Sequence, residues 1–212
     1  MTVLTVNAGS SSLRLAAFTG NGHLVRLAEQ RYETPDPAGP EPVREFLRQH
    51  AIPPVTRVAH RVVHGGSTLM APCVIDAHVE AEIERLIPLA PLHNPPALAG
   101  IRACRAFFGA DVPQVAVFDT AFFAGLPEVA RTYALPRALA AKHGLRRYGF
   151  HGIAHQALWR RWRALRPDVP GGGCVVSLQL GAGCSITAIR DGCPLDTSMG
   201  FSPLEGLVMA TR

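Results

Sequence analysis

Two glycine turns lie near opposite ends of this 212-residue chain, Asn7-Ala8-Gly9-Ser10-Ser11-Ser12 and Gly181-Ala182-Gly183, each following an apolar run. Glycine lets backbone N–H groups approach an anion that a Cβ would hold away. Between the turns stand Arg61, Asp119 and His151, and Arg212 is the last residue given. Phosphoryl transfer needs these parts: backbone donors that cradle phosphate, a carboxylate for a metal ion, and cationic side chains on the transferring group.

Each part also has an ordinary structural account. Tight β turns use the same glycines. Arg61 sits among valines in RVAHRVV, where a lone guanidinium would be costly to bury. It either grips a carboxylate or phosphate bidentately or pairs internally with an acid such as Asp119. Asp119 leaves the apolar run VAVF at a loop mouth, and capping a following helix is its competing role. His151 and His155 stand at i, i+4, a spacing open to a metal pair, although a hydrogen-bonded core or loop pair is the preferred reading. Arg212, without context beyond it, reads as a surface residue.

The elements that must position these residues follow from periodicity. Val3–Phe18 predicts strand, turn and strand, and Gly20-Asn21-Gly22 turns the chain into His23–Leu27. The closing stretch from Val175 repeats that layout: a strand, the glycine turn, a second strand, then Asp191-Gly192. Two copies of one pattern suggest a duplicated half. Helices are predicted over Pro42–Ala51, Ala77–Leu86, Ala97–Phe108, Arg137–His143 and His155–Leu165. Strands are predicted over Arg57–Val63 and Val112–Phe118, the latter delivering Asp119 at its carboxyl end, where open α/β sheets bind ligands. Gly171-Gly172-Gly173 reads as a hinge or linker, and the segment before Arg212 as helix-like. Strands alternating with helices, with hairpins at both ends, predict an α/β fold with a mixed sheet.

Composition narrows the class. Hydrophobic residues make up 48% and charged residues 17%, so the chain can bury a core and is no disordered tail. No apolar run reaches membrane-spanning length and MTVLTVNAG has no basic leader, so neither a membrane segment nor a secretion signal is expected. Five scattered cysteines without CxxC spacing fit reduced thiols and a cytoplasmic location. The formal charge is +5, yet the only arginine cluster, Arg160–Arg163 with Arg166, reads as a solvated helix face, so no nucleic-acid partner is expected.

Six strings in order, VNAGSSSLR, HRVVHGG, APLHNPP, VAVFDTAF, YGFHG and DTSMGFSPLEGLVMATR, resemble the acetate kinases and their propionate and butyrate kinase relatives. The resemblance covers essentially the whole chain and roughly the first half of a family member. It implies a ribonuclease H-like duplicated domain of the actin/hexokinase/Hsp70 superfamily, with the second domain incomplete. The two glycine turns would be its two phosphate loops. Residues 1–120 would form an acyl-substrate domain with the first phosphate loop, and residues 121–212 the beginning of a nucleotide-binding domain.

Carried over by position, the resemblance implies ATP and Mg²⁺ as cofactors, with Asn7 helping to hold magnesium. Ser10, Ser12 and Arg14 would lie along the nucleotide phosphates, and Gln179, Leu180, Gly181, Ala182 and Gly183 would form the second phosphate loop. Arg61 would bind the substrate carboxylate or acyl phosphate. Val63, Leu92, Phe150 and Pro203 would form a small apolar pocket for the acyl chain. Asp119 would be the active-site acid, and His151 and Arg212 would stabilise the transition state. The implied reaction is direct transfer of a phosphoryl group between ATP and a short carboxylate, with a homodimer as the assembly the resemblance allows. Gln179, Ala182 and Phe123 replace histidine, asparagine and histidine of the family pattern, Ile153-Ala154 replace Thr-Ser, and Ala210 replaces glycine. With a chain stopping at Arg212, these departures predict a truncated form with weak or no activity, or else a non-catalytic binding module.

Overall fold

The structure is a computed structural model and describes residues 1–9, 12–33 and 39–210. The chain divides into two units, one comprising Met1–Gly65 with Ala71–Val117, the other Gly66–Met70 with the chain from Phe118 onward.

In the first unit, β1 (Thr2–Ala8), β2 (Ser12–Thr19) and β3 (Val25–Glu33) form an antiparallel meander. Burial alternates along β1 as the pleat requires, with Leu4, Val6 and Ala8 facing inward. Helix α1 (Glu41–Gln49) carries the chain over to β4 (Arg57–Val62), which pairs with β1 in parallel. Val43 and Phe46 of α1 pack with Leu4, Val6, Leu13, Leu15, Val58 and Cys104 in one core. The short β5 (Cys73–Val74) pairs antiparallel with β6 (Gln114–Phe118), and the sheet order is β3-β2-β1-β4-β6-β5. Parallel and antiparallel ladders thus share one sheet, as expected for a mixed α/β fold.

Helix α2 (Ala77–Arg85) starts at Asp76, whose Oδ1 accepts from the Val79 N–H at 2.8 Å. Helix α3 spans Asn94–Phe108 and so begins earlier than its apolar periodicity suggests. Pro95 and Pro96 lie in its first turn, where their missing N–H groups have no intrahelical role. Asn94 is buried there and closes a two-way bond with the backbone of His64: His64 N–H donates to Oδ1 at 3.2 Å and Nδ2 donates to the His64 carbonyl at 3.2 Å.

The second unit follows Phe118 with a 3-10 turn (Ala121–Phe123), α4 (Glu128–Arg131), α5 (Arg137–His143) and α6 (Gly152–Leu165). Its sheet is a second antiparallel meander, β7 (Cys174–Leu180), β8 (Cys184–Arg190) and β9 (Cys193–Thr197). The repeated hairpin read from the sequence is therefore real at the level of topology.

Three expectations need correction. Helix α6 begins at Gly152, because the left-handed backbone of His151 (φ +59°) turns the chain directly into it. Gly171–Gly173 is a packed turn and no linker: a Cβ on Gly172 would come within 1.9 Å of the Trp159 ring. The described residues after Ser198 form turns and no helix. There Glu205 accepts from the Phe201 N–H at 2.8 Å and from the Tyr133 hydroxyl, and Gly206 has φ +108°. A side chain that captures backbone donors leaves them unavailable to a helix.

Candidate functional site

In the first unit the strand register decides which side chains are neighbours. Asn7 on β1 lies opposite Arg14 on β2. The β1–β4 register pairs Val6 with His60, and one further residue sets Asn7 beside Arg61. Arg61 Nη1 donates to Asn7 Oδ1 at 3.1 Å, and both side chains are half-buried. Arg14 and Asn7 from one motif and Arg61 from another thus form one cross-strand row on the face opposite the core. Arg14 is exposed and lies 3.7 Å from Glu29. Ser12 opens β2, and its carbonyl accepts from the Gly9 N–H at 2.8 Å. Ser10 lies outside the described residues.

In the second unit Asp119 is buried at the mouth of β6. The 3-10 turn that follows has Thr120 at its N-cap, with no side-chain cap from that residue. The Asp119 carbonyl accepts from the Gly152 N–H at 3.0 Å. That bond pins the start of α6, and with it His151, against the Asp119 turn.

His151 meets the second glycine turn from the same side. Its Nδ1 lies 2.9 Å from Ser185 Oγ on β8. A Cβ on Gly183 would approach its Cε1 to 3.0 Å and its Nε2 to 3.2 Å, so a side chain at 183 would make the ring shift by a few tenths of an ångström. Within the turn Gly181 N–H donates to the Gly183 carbonyl at 3.1 Å. Among the described residues, the N–H groups of Ala182 and Gly183 have no hydrogen-bond partner. Backbone N–H groups and an imidazole are donor types that suit a phosphate oxygen. Gln179 and Leu180 end β7 at this turn, with Gln179 in register with Ser185. Arg212 lies outside the described residues. Ala210, two residues earlier, donates its N–H to the Ala182 carbonyl at 3.1 Å, which brings the closing segment to the turn.

Behind His151 runs a polar chain that the motifs did not reveal. His155 Nε2 lies 2.8 Å from Ser185 Oγ, and His155 Nδ1 lies 2.9 Å from Ser177 Oγ on β7. Ser177, Ser185 and His155 are all buried. Burial pushes the His155 pKa down to about 4, helped by His151 and opposed by the Asp119 carboxylate. The His151/His155 spacing therefore marks a hydrogen-bonded pair sharing one serine. Nothing in the sequence marks Ser177 and Ser185 as inward-facing. No group of three or more His, Cys, Asp or Glu side chains among the described residues is placed to hold a metal. Asn7 in the first unit and Asp119 in the second each carry the oxygen-donor chemistry that Mg²⁺ takes when it also binds phosphate and water.

The residues named for the acyl pocket differ in exposure. Val63 is 8% exposed and Leu92 67%, both in the first unit; Phe150 is 1% exposed and Pro203 half-buried, both in the second. Phe123 is a core residue whose ring packs edge-on against His155 at 6.1 Å.

The arginine cluster lies on α6, where Arg160, Arg161 and Arg163 are exposed, and Arg166 pairs with Asp168 at 2.7 Å. No helix of the described residues is long and apolar enough to cross a membrane.

Comparison with known proteins bears on this geometry. The acetokinase family model matches residues 43–212. The acetate kinase of Solibacter usitatus is 40% identical across the whole chain, which covers 60% of that protein. The acetate kinase of Deinococcus deserti is 42% identical, again across the whole chain and 59% of its own length. Among solved structures, a propionate kinase from Francisella tularensis superposes with a TM-score of 0.89 at 36% identity, covering all of this chain and 60% of the other. Porphyromonas gingivalis acetate kinase gives 0.86 at 33% identity, with the same coverage. The fold is that of these enzymes, of the actin/hexokinase/Hsp70-like class, and the chain spans about 60% of the length of the relatives it matches. It belongs to the acetokinase family.

Proposed function

We propose that this chain carries the acyl-binding and phosphate-cradling parts of a carboxylate kinase. The reaction moves the γ-phosphoryl group of ATP onto acetate or a close short-chain carboxylate, giving an acyl phosphate and ADP. The observation that carries this reading is the His151 ring lying against Gly183, in a turn whose Ala182 and Gly183 N–H groups have no partner among the described residues.

In this reading Arg61 binds the carboxylate or the acyl phosphate, and Asn7 orients its guanidinium. Arg14 and Ser12 lie along the nucleotide phosphates, as does Ser10, and the turn from Gln179 to Gly183 cradles them. His151 donates to the transferring group, with Arg212 as the second cation. Asn7 and Asp119 hold Mg²⁺, whose contribution when bound is to neutralise charge on the phosphoryl oxygens. A carboxylate nucleophile is already ionised at neutral pH, so the residues contribute positioning and charge and move no proton. Val63, Leu92, Phe150 and Pro203 line the acyl chain. Residues 1–120 serve the acyl substrate and 121–212 the nucleotide, in the cytoplasm, with a homodimer as the candidate assembly.

The 212 residues alone are expected to turn over weakly or not at all, given a span of about 60% of the relatives and glutamine and alanine at 179 and 182. Titration calorimetry with acetyl phosphate tests the binding. Wild type should bind and Arg61→Ala should not; equal binding by both sinks the assignment. A hydroxamate assay with ATP and acetate tests the chemistry, and rapid turnover contradicts the weak-activity expectation. A non-catalytic remnant is the second reading, favoured by Gln179 and Ala182, and it predicts that neither nucleotide nor acyl phosphate binds.

A further inference from the structure

His151, Ser185, His155 and Ser177 form one hydrogen-bonded series, with contacts of 2.9, 2.8 and 2.9 Å. Ser185 is fully buried, and the two imidazoles are the only side chains its hydroxyl meets among the described residues. Such a chain has few ways to place its protons. A serine hydroxyl has a single proton, so between two ring nitrogens it donates to one and accepts from the other. A neutral imidazole likewise has one N–H and one bare nitrogen.

Two orders satisfy these rules. In the first, His155 carries its proton on Nδ1 and donates to Ser177. Its bare Nε2 then takes the Ser185 proton, and Ser185 can only accept from an Nδ1–H of His151. A neutral His151 in this order turns a lone pair on Nε2 towards the glycine turn. In the second, His155 carries its proton on Nε2 and donates to Ser185. The Ser185 hydroxyl then donates to Nδ1 of His151, whose own proton must sit on Nε2. Ser177 completes the series by donating to His155 Nδ1. Only the second order offers a phosphate oxygen a donor from a neutral ring, on the edge of His151 that lies beside Gly183 and the N–H groups of Ala182 and Gly183.

We propose that Ser185, backed by His155 and Ser177, is a positioning residue that fixes His151 as the Nε2–H tautomer, so that the ring meets the transferring phosphoryl group as a neutral donor. This rests on the reading of His151 as a phosphoryl contact given above. Burial keeps His155 uncharged near neutral pH, which leaves both orders open to Ser185, whereas a charged His155 would donate from both nitrogens and impose the second order alone.

The test is ¹⁵N NMR of the full chain labelled at histidine, near pH 7.5 and without ligand, where protonated and bare ring nitrogens resonate far apart. Wild type should show His151 protonated on Nε2 and bare on Nδ1. Ser185→Ala should lose that dominance and give a mixture of tautomers, and Ser185→Thr, which keeps the hydroxyl, should restore it. A wild-type His151 protonated on Nδ1 overturns the proposal without any variant. An unchanged tautomer in a folded Ser185→Ala variant does so too. The functional reading is decided separately by acetyl phosphate binding: a chain with the Nε2–H tautomer that binds no acyl phosphate contradicts that reading and supports the proton order. One that binds acyl phosphate with an Nδ1–H ring supports the reading and removes the proton order alone.

Discussion

The backbone N–H of Gly152 donates to the carbonyl oxygen of Asp119 across 3.0 Å, and a Cβ built on Gly152 would stand 2.1 Å from that oxygen and 2.8 Å from Phe122 Cβ. The helix carrying His151 and the turn carrying Asp119 are therefore held at backbone distance, with room for no side chain between them.

Gly152→Ala should push α6 away from the Asp119 turn. Overpacking of this kind costs about 1–3 kcal/mol, and more where backbone must move. The obstacle here is a carbonyl and no flexible side chain, so the upper end is expected. Thermal unfolding should show a lowered Tm, and acetyl phosphate affinity should fall with it. A variant of wild-type stability would mean that the contact is slack.

The buried ring of Phe123 packs against Phe122 at 5.4 Å and His155 at 6.1 Å. A Cβ on Gly149 would come within 2.5 Å of that ring. Phe123→Ala should cost about 3–5 kcal/mol, as deletion of a buried phenylalanine does. It should also admit water beside His155 and return that pKa from about 4 towards 6.5. An NMR titration of His155 reads the second effect independently of stability.

The sequence carried the repeated hairpins and the elements around Asp119, because strand alternation and glycine turns are local signals, but not the row of Arg14, Asn7 and Arg61, which the register of strands far apart in the chain creates. It did not carry where α3 and α6 begin. Pro95 and Pro96 look like breakers until they are placed in a first turn, and His151 starts α6 through a left-handed φ that no residue type announces. The helix expected before Arg212 failed for a reason that is in part non-local, since the distant Tyr133 hydroxyl bonds both Glu205 and the Phe201 N–H. Ser177 and Ser185 were equally hidden. A serine on a strand looks polar and outward until its neighbours show which face is buried.

Acid should destabilise the fold in a defined window. His60, His64 and His155 each have a pKa pushed from 6.5 to about 4, first of all by burial. The unfolded chain binds protons at these rings below pH 6.5, and the folded chain does not until about pH 4. Their contribution is therefore complete above pH 6.5 and is lost as pH falls through about 4, on the order of 3 kcal/mol per ring. Denaturant midpoints should be level above neutrality and drop steeply between those limits. A flat profile down to pH 4 would show that the folded rings accept protons freely.

The Arg61–Asn7 bond supplies the sharpest test of substrate binding. Asn7 Oδ1 accepts from Arg61 Nη1 as a neutral oxygen, so this bond orients the guanidinium without itself neutralising it. Asn7→Asp keeps the shape and the bond and turns it into a charge-assisted pair, which is shorter and stronger. Tm should hold or rise slightly. The new carboxylate occupies the guanidinium and repels an incoming acyl phosphate, so affinity should fall at least about tenfold, equivalent to about 1.4 kcal/mol. Asn7→Ala removes the orienting oxygen and adds no charge, so its loss should be smaller. The expected order of affinity is wild type, then Asn7→Ala, then Asn7→Asp. Wild-type affinity in Asn7→Asp would mean that the anion never meets Arg61, because no ligand carboxylate or phosphate competes for a guanidinium without feeling an aspartate already bound to it.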